Sequence, residues 1–167
     1  MTDKKLKSHT VKIDKKDKEI YALIQNRASH AVAIGKIKSK VSPKESFYKP
    51  DRETKILRNI LNANKKGLLP DSKIRAIYKE LISGCLSLEE ILKVAYLGPE
   101  ATHSEAAVHN QFGSQALRIP TSTIDDVFYQ VINDDVNLGV VPVENSSEGV
   151  INTTLNCLAD SKDINII

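Results

Sequence analysis

Apolar residues recur at three- and four-residue spacing from about Val11 to Lys40, at Ile13, Ile20, Leu23, Ile24, Ala31, Ile34 and Ile37. That period is helical, and a single glycine, Gly35, interrupts it. At 1.5 Å per residue such a helix runs roughly 40 Å, longer than a small helical domain can cover with its own atoms. The stripe needs a cover, and a second copy of the chain is the natural one.

The next segments complete a helical unit. The stretch VSPKESFYK reads as a loop, after which Pro50 opens a second helix with Asp51 and Glu53 well placed in its first turn and Gly67 as its stop. Leu69-Pro70-Asp71 leads into a third helix from about Ser72 to Ile91. Beyond it the pattern changes to alternating strand and helix. Strands are expected over Val94–Leu97, Ala116–Ile119, Leu138–Val143 and Ile164–Ile167. Helices are expected after Ser104, over Ile124–Asn133 and over Val150–Leu158. Strands separated by helical crossovers pair in parallel.

Charge divides the chain at the same place. The net +3 of the 167 residues hides 22 Lys/Arg against 11 Asp/Glu in residues 1–93, and 2 against 10 in residues 94–167. The halves are therefore +11 and −8, and we expect one unit over 1–92 and a second over 93–167. The lysines of the first half are interleaved with Asp and Glu and accompanied by few aromatics, a pattern of solvated helix faces rather than of a nucleic-acid surface. The N-terminus MTDKKLKSHT is too polar for a secretory signal, and no apolar run approaches the roughly 18 residues of a membrane span. Two cysteines, Cys85 and Cys157, make neither a disulfide framework nor a metal-ligand spacing; a reducing, cytoplasmic setting without metal is expected.

Polar residues on the apolar stripes carry the chemistry. On the first helix the series Ile20, Ile24, Arg27, Ala31, Ile34, Lys38 places two cations on one face, eleven residues apart. They either snorkel and pair with core acids or line a site. The second helix aligns Glu53 with Ile56, Leu57 and Ile60, and the third aligns Cys85 and Glu89 with Ile74, Tyr78 and Leu81. Buried charge is costly unless something satisfies it, so three helices with inward polar groups suggest a pocket for a small anion. In the second half, GVVPVENSSEGVINTT breaks a strand at Pro142 into a polar cluster before a helix start. That layout suits an anion site, although Ser104 and Ser146 or Ser147 can equally be simple helix caps.

In this order, these segments resemble two known families. Residues 11–91 are similar to the all-helical chorismate mutase domain through IDKKDKEIYALIQNRASHAVAIGKIK, YKPDRE and YKELISGCLSLEE. Residues 94–167 resemble the start of a prephenate dehydratase domain through VAYLGPEATHSEAA, TSTIDDVF and GVVPVENSSEGVINTT. The order is that of the bifunctional P-proteins of phenylalanine biosynthesis.

The resemblance implies an intertwined dimer of three-helix mutase domains, followed by the first α/β lobe of a fold like type II periplasmic binding proteins. It implies a cofactor-free pericyclic rearrangement of chorismate to prephenate. Arg27 would bind a substrate carboxylate, Lys38 a carboxylate and the ether oxygen. Glu53, with Arg52 and Lys49, would orient the region of the ring hydroxyl. Cys85 stands where a small polar residue is common, and Glu89 where a Gln or Glu faces the ether oxygen. Only a protonated Glu89 can donate there, so activity is expected to decline as pH rises and Glu89→Gln to flatten that decline. Prephenate would lie between two lobes, against Thr102, Ser104, Glu144, Asn145, Ser146 and Gly149.

Departures from the family pattern are also legible. Thr10 stands where the family supplies an arginine across its dimer, and Lys7, one turn earlier, is a candidate substitute. Where Gly-Thr-Phe is usual the chain has Ala101-Thr102-His103; alanine tolerates positive φ poorly, so a different turn is expected. His30 and His109 read as surface residues, and Cys157 as core. The family's Thr-Arg proton donor and phenylalanine-binding ACT domain would lie beyond INII. A fragment without dehydratase turnover is therefore expected, its last strand exposing an edge. The rival reading is a catalytically weak dimerisation or ligand-binding module derived from the family.

Overall fold

The computed structural model describes residues 2–41, 47–145, 149–162 and 164–167. The first helix, α1, runs Thr2–Val41, 40 residues and about 60 Å, so it starts well before Val11. Only Arg27, Ala28, Ala31, Val32, Gly35 and Lys38 are even partly buried along its described face; Ile13, Ile20, Leu23 and Ile37 are more than half exposed. Gly35 does not break the helix. It lets α1 pass so close to Glu89 that an added Cβ would lie 3.1 Å from that residue's Cα.

Helix α2 spans Pro50–Ala63, with Pro50 in its first turn as expected and a short 3-10 turn, Asn64–Lys66, before Gly67. Helix α3 spans Asp71–Leu86 and packs against both α1 and α2. It ends five residues earlier than its apolar pattern suggested. Ser87 closes it, its hydroxyl donating to the Gly84 carbonyl, and the chain turns so that Leu92 can enter the core. Glu89 therefore sits in a turn rather than on a helix.

The second half builds a three-stranded parallel sheet in the order β2-β1-β3, from β1 Lys93–Leu97, β2 Leu117–Thr121 and β3 Leu138–Val140. Helix α4, His103–Phe112, and helix α5, Ile124–Ile132, make the crossovers. β3 is shorter than expected, and Glu144–Asn145 (β4) pairs antiparallel with Gly149–Val150 (β5), delaying the last helix, α6, to Asn152–Asp160. Ile164–Ile167 form no strand, contrary to the sequence reading, because they gain no ladder partner among the described residues.

Two apolar clusters hold this half. One, of Ala95, Val127 and Val136, lies under α5, where Gly139 allows β3 to approach within 2.6 Å of Val127 Cγ1, measured from where a Cβ would stand. The other joins Leu92, Val94, Tyr96, Val108 and Ala116 to Tyr48, which precedes α2. Tyr48 also meets Phe112 edge-on, with ring centroids 5.3 Å apart. The core thus runs across the charge boundary near Lys93.

Candidate functional site

Helical geometry brings Arg27 and Lys38 to the face of α1 that meets α3. Eleven residues separate them by about 16 Å along the axis, and their long side chains shorten that span. Arg27 Nη1 donates to the Leu81 carbonyl at 3.3 Å. Lys38 Nζ pairs with Glu89 Oε2 at 3.1 Å, donates to the Phe47 carbonyl at 3.3 Å and lies 5.2 Å from the Phe47 ring centroid. Glu89 is well covered, its side chain 12% exposed. Cys85, on α3, is buried and carries a free thiol. One charged pair and one guanidinium are therefore held on a single seam, with the close approach at Gly35 fixing how near α1 and the Glu89 turn can come.

The other helical candidates sit differently. The Lys49 carbonyl accepts from the backbone N–H groups of Arg52 and Glu53, forming the first turn of α2, and the Arg52 side chain is exposed. Glu53 lines a cavity of about 400 Å³ with Leu57, Arg58, Arg75, Lys79 and Gln111, to which no described residue of α1 contributes. Burial pushes its carboxyl above the usual carboxylate range, and the nearby Lys79 ammonium partly counters this. The structure thus brings Arg27, Lys38 and Glu89 to where α1 meets α3 and the turn after it, and leaves Glu53 in a cleft between α2 and α3. The N-terminal candidates lie on α1: the Thr10 hydroxyl donates to the Leu6 carbonyl, and the helix extends far enough to include Lys7.

In the second half the parallel register places the ends of β1 and β3, adjacent strands, at one edge of the sheet. The loop carrying Thr102 and the segment carrying Glu144 and Asn145 both leave from that edge. Thr102, not Ser104, caps α4, its hydroxyl accepting from Glu105 N–H at 3.5 Å; Ser104 lies within the first turn. Ala101 adopts φ 63°, a left-handed conformation that alanine tolerates poorly. The Ala101 N–H donates to Glu105 Oε2 at 2.6 Å, while Arg118 Nε meets Glu105 Oε1 at 3.2 Å. Those partners, the Ala101 N–H first, hold the Glu105 carboxyl below its usual range.

Glu144 and Asn145 form the small ladder with Gly149 and Val150, and Gly149 has φ +74°. Ser146 and Ser147 lie outside the described residues. The buried Thr154 hydroxyl donates to the Pro142 carbonyl at 2.7 Å, tying α6 to the segment after β3. His30, His103 and His109 are exposed. Cys157 is half-buried rather than core, its thiol donating to Asp125 Oδ1 at 3.4 Å across the α5–α6 contact.

Sequence reasoning missed the Leu81 and Phe47 carbonyls, since a backbone acceptor leaves no residue-type signal. It also missed Lys79, which lay off the apolar stripe. Among the described residues no helix is long and apolar enough to cross a membrane.

Residues 9–90 match the family model for chorismate mutase type II, and residues 94–167 match that for prephenate dehydratase. A bifunctional chorismate mutase/prephenate dehydratase of Stutzerimonas stutzeri is 44% identical over 154 residues, and one of Aquifex aeolicus 45% identical over 159 residues. These alignments take in 90% and 93% of this chain but 42% and 43% of the relatives. The chain thus spans less than half the length of those relatives. A prephenate dehydratase of Bacillus subtilis is 33% identical over 76 residues, 46% of this chain and 27% of that protein. The chain belongs to the chorismate mutase type II family through residues 9–90 and to the prephenate dehydratase family through residues 94–167.

Proposed function

We propose that residues 1–92 are a chorismate mutase domain, converting chorismate to prephenate, and that residues 93–167 contribute one wall of a prephenate site of phenylalanine biosynthesis. The observation that carries this reading is the placement of Arg27 and the Lys38–Glu89 pair on one seam of α1 and α3. A unimolecular rearrangement needs no nucleophile. It needs a dicarboxylate held in its compact, reactive conformer and donors where the breaking C–O bond gathers negative charge. Arg27 and Lys38 supply the cations for the first task, and Lys38, held in place by Glu89, supplies a donor for the second. Cys85, Lys49, Arg52 and Glu53 would complete the site once substrate and a partner's helix draw α2 toward α1. The uncovered apolar stripe of α1 supports a homodimer, which sedimentation at several concentrations would test. Thr102, Ser104, Glu144, Asn145, Ser146 and Gly149 would face prephenate at the sheet edge, and a cytoplasmic location fits a soluble metabolite of this kind.

Chorismate consumption by the 167-residue chain tests the proposal. Turnover in the parent with a loss of about ten- to a hundredfold in Arg27→Ala, the expected result for a charge-assisted contact of roughly 1.5–3 kcal/mol, supports it. Binding of chorismate without turnover would instead support a ligand-binding module, the reading that Thr10 in place of an arginine favours.

A further inference from the structure

Three residues on α3, within little more than one turn, grip the far end of α4. Lys79 Nζ donates to the Asn110 and Gln111 carbonyls, which at a helix C-terminus have no partner within the helix. Glu80 accepts from the Ser114 N–H at 3.2 and 3.3 Å and from the Ser114 hydroxyl. Ser83 Oγ accepts from the Gln115 N–H at 3.3 Å. Between them Gly113, at φ +78°, comes so close that a Cβ would stand 2.6 Å from Ser83 Cβ. Nothing larger than hydrogen fits there.

Just beyond this grip, α3 and the turn after it carry the groups of the proposed mutase site: the Leu81 carbonyl that holds Arg27, Cys85, and Glu89 paired to Lys38. On the other side, α1 reaches α3 and the turn after it through long, rotamer-rich side chains, Arg27 to the Leu81 carbonyl and Lys38 to Glu89, which lock axial position weakly. Side-chain and backbone hydrogen bonds of fixed direction lock it better.

We propose that α4 is a strut that sets the position of α3, and that Glu80 and Ser83 are positioning residues for the reaction in the helical half. This rests on the mutase reading above. Misplacement by about 1 Å costs up to a hundredfold in rate, so loss of the strut should lower kcat about ten- to a hundredfold. Glu80 is exposed and is not among the residues proposed to touch substrate, so a role in folding alone would move the melting temperature and leave kcat at 25 °C near the parent value.

The test compares Glu80→Ala, Ser114→Ala and Glu80→Gln in the full 167-residue chain. Expected are a fall in kcat larger than the change in KM for the first two and near-parent kcat for Glu80→Gln, which keeps an acceptor. A second readout does not need turnover. In a Cys157→Ser background, Glu80→Ala should raise the alkylation rate of buried Cys85 several-fold as α3 loosens. Parent-like kcat in Glu80→Ala, or an unchanged Cys85 rate, overturns the strut while leaving the mutase reading intact. Absence of turnover in the parent overturns the mutase reading, and the Cys85 rate then decides the strut by itself.

Discussion

Replacing Lys38 by Met keeps most of its aliphatic stem and removes three interactions: the 3.1 Å ion pair with Glu89, the 3.3 Å bond to the Phe47 carbonyl and the ammonium 5.2 Å from the Phe47 ring centroid. The larger effect is what remains. Glu89, 12% exposed, is left with a carboxylate in a nearly dry site and without its cation. A fully buried orphan charge costs about 3–5 kcal/mol, and water reaching the Lys38 side, 31% exposed, reduces this to roughly 2 kcal/mol. For a chain of this size that lowers Tm by about 4–8 °C. Removing both charges in Lys38→Met/Glu89→Leu should restore Tm to within about 2 °C of the parent, because an apolar pair costs no desolvation. A double-mutant cycle by thermal or urea unfolding then gives a coupling of at least about 1 kcal/mol. Chorismate turnover should fall about a hundredfold or more in all three variants, since the double substitution repairs the fold and not the grip on substrate. Single substitutions that cost under about 0.5 kcal/mol, or a double variant equal to the sum of the singles, would refute the assignment of this pair as a buried, coupled unit.

Burial raises the Glu53 carboxyl, so the folded chain holds that proton more tightly than the unfolded one does, and stability falls as pH climbs from the ordinary carboxylate range through the raised value. Glu53→Gln should therefore raise Tm at pH 7 and leave it nearly unchanged at pH 4; a lower Tm at pH 7 would contradict this. The Glu105 carboxyl is lowered instead, by the Ala101 N–H and Arg118, so its contribution is present above the ordinary range and lost as pH falls through the lowered value. Glu105→Ala should lower Tm at pH 7, and the gap should close in acid. Ala101→Gly should relieve the left-handed backbone at φ 63° and stabilise by about 0.5–1 kcal/mol after the extra unfolded-state entropy is subtracted. Differential scanning calorimetry should show Tm rising by about 2 °C.

The elements legible in the sequence were those set by local rules. Pro50 with Asp51 and Glu53 marks the start of α2, and the alternating half gives a parallel sheet. The family motifs, too, are strings of adjacent residues. Errors arose where a long-range demand overrode a local pattern. The apolar spacing of α3 continues to Ile91, yet the helix stops at Leu86 so that Leu92 can reach the core. Gly35 looked like an interruption, but it marks where α1 passes Glu89, a residue distant in sequence.

The sequence by itself determined the helical first half, the α/β second half and the family of each, because periodicity, caps and motifs are properties of neighbouring residues. It also placed Arg27 and Lys38 on one face. Only the tertiary structure decided that Lys38 pairs with Glu89 while Glu53 shares a cleft with Lys79, and that α3 is bonded to the end of α4 across the charge boundary. Those choices depend on which surfaces the packed core brings within about 3 Å of each other, and hydrogen-bond range in space has no counterpart in distance along the chain.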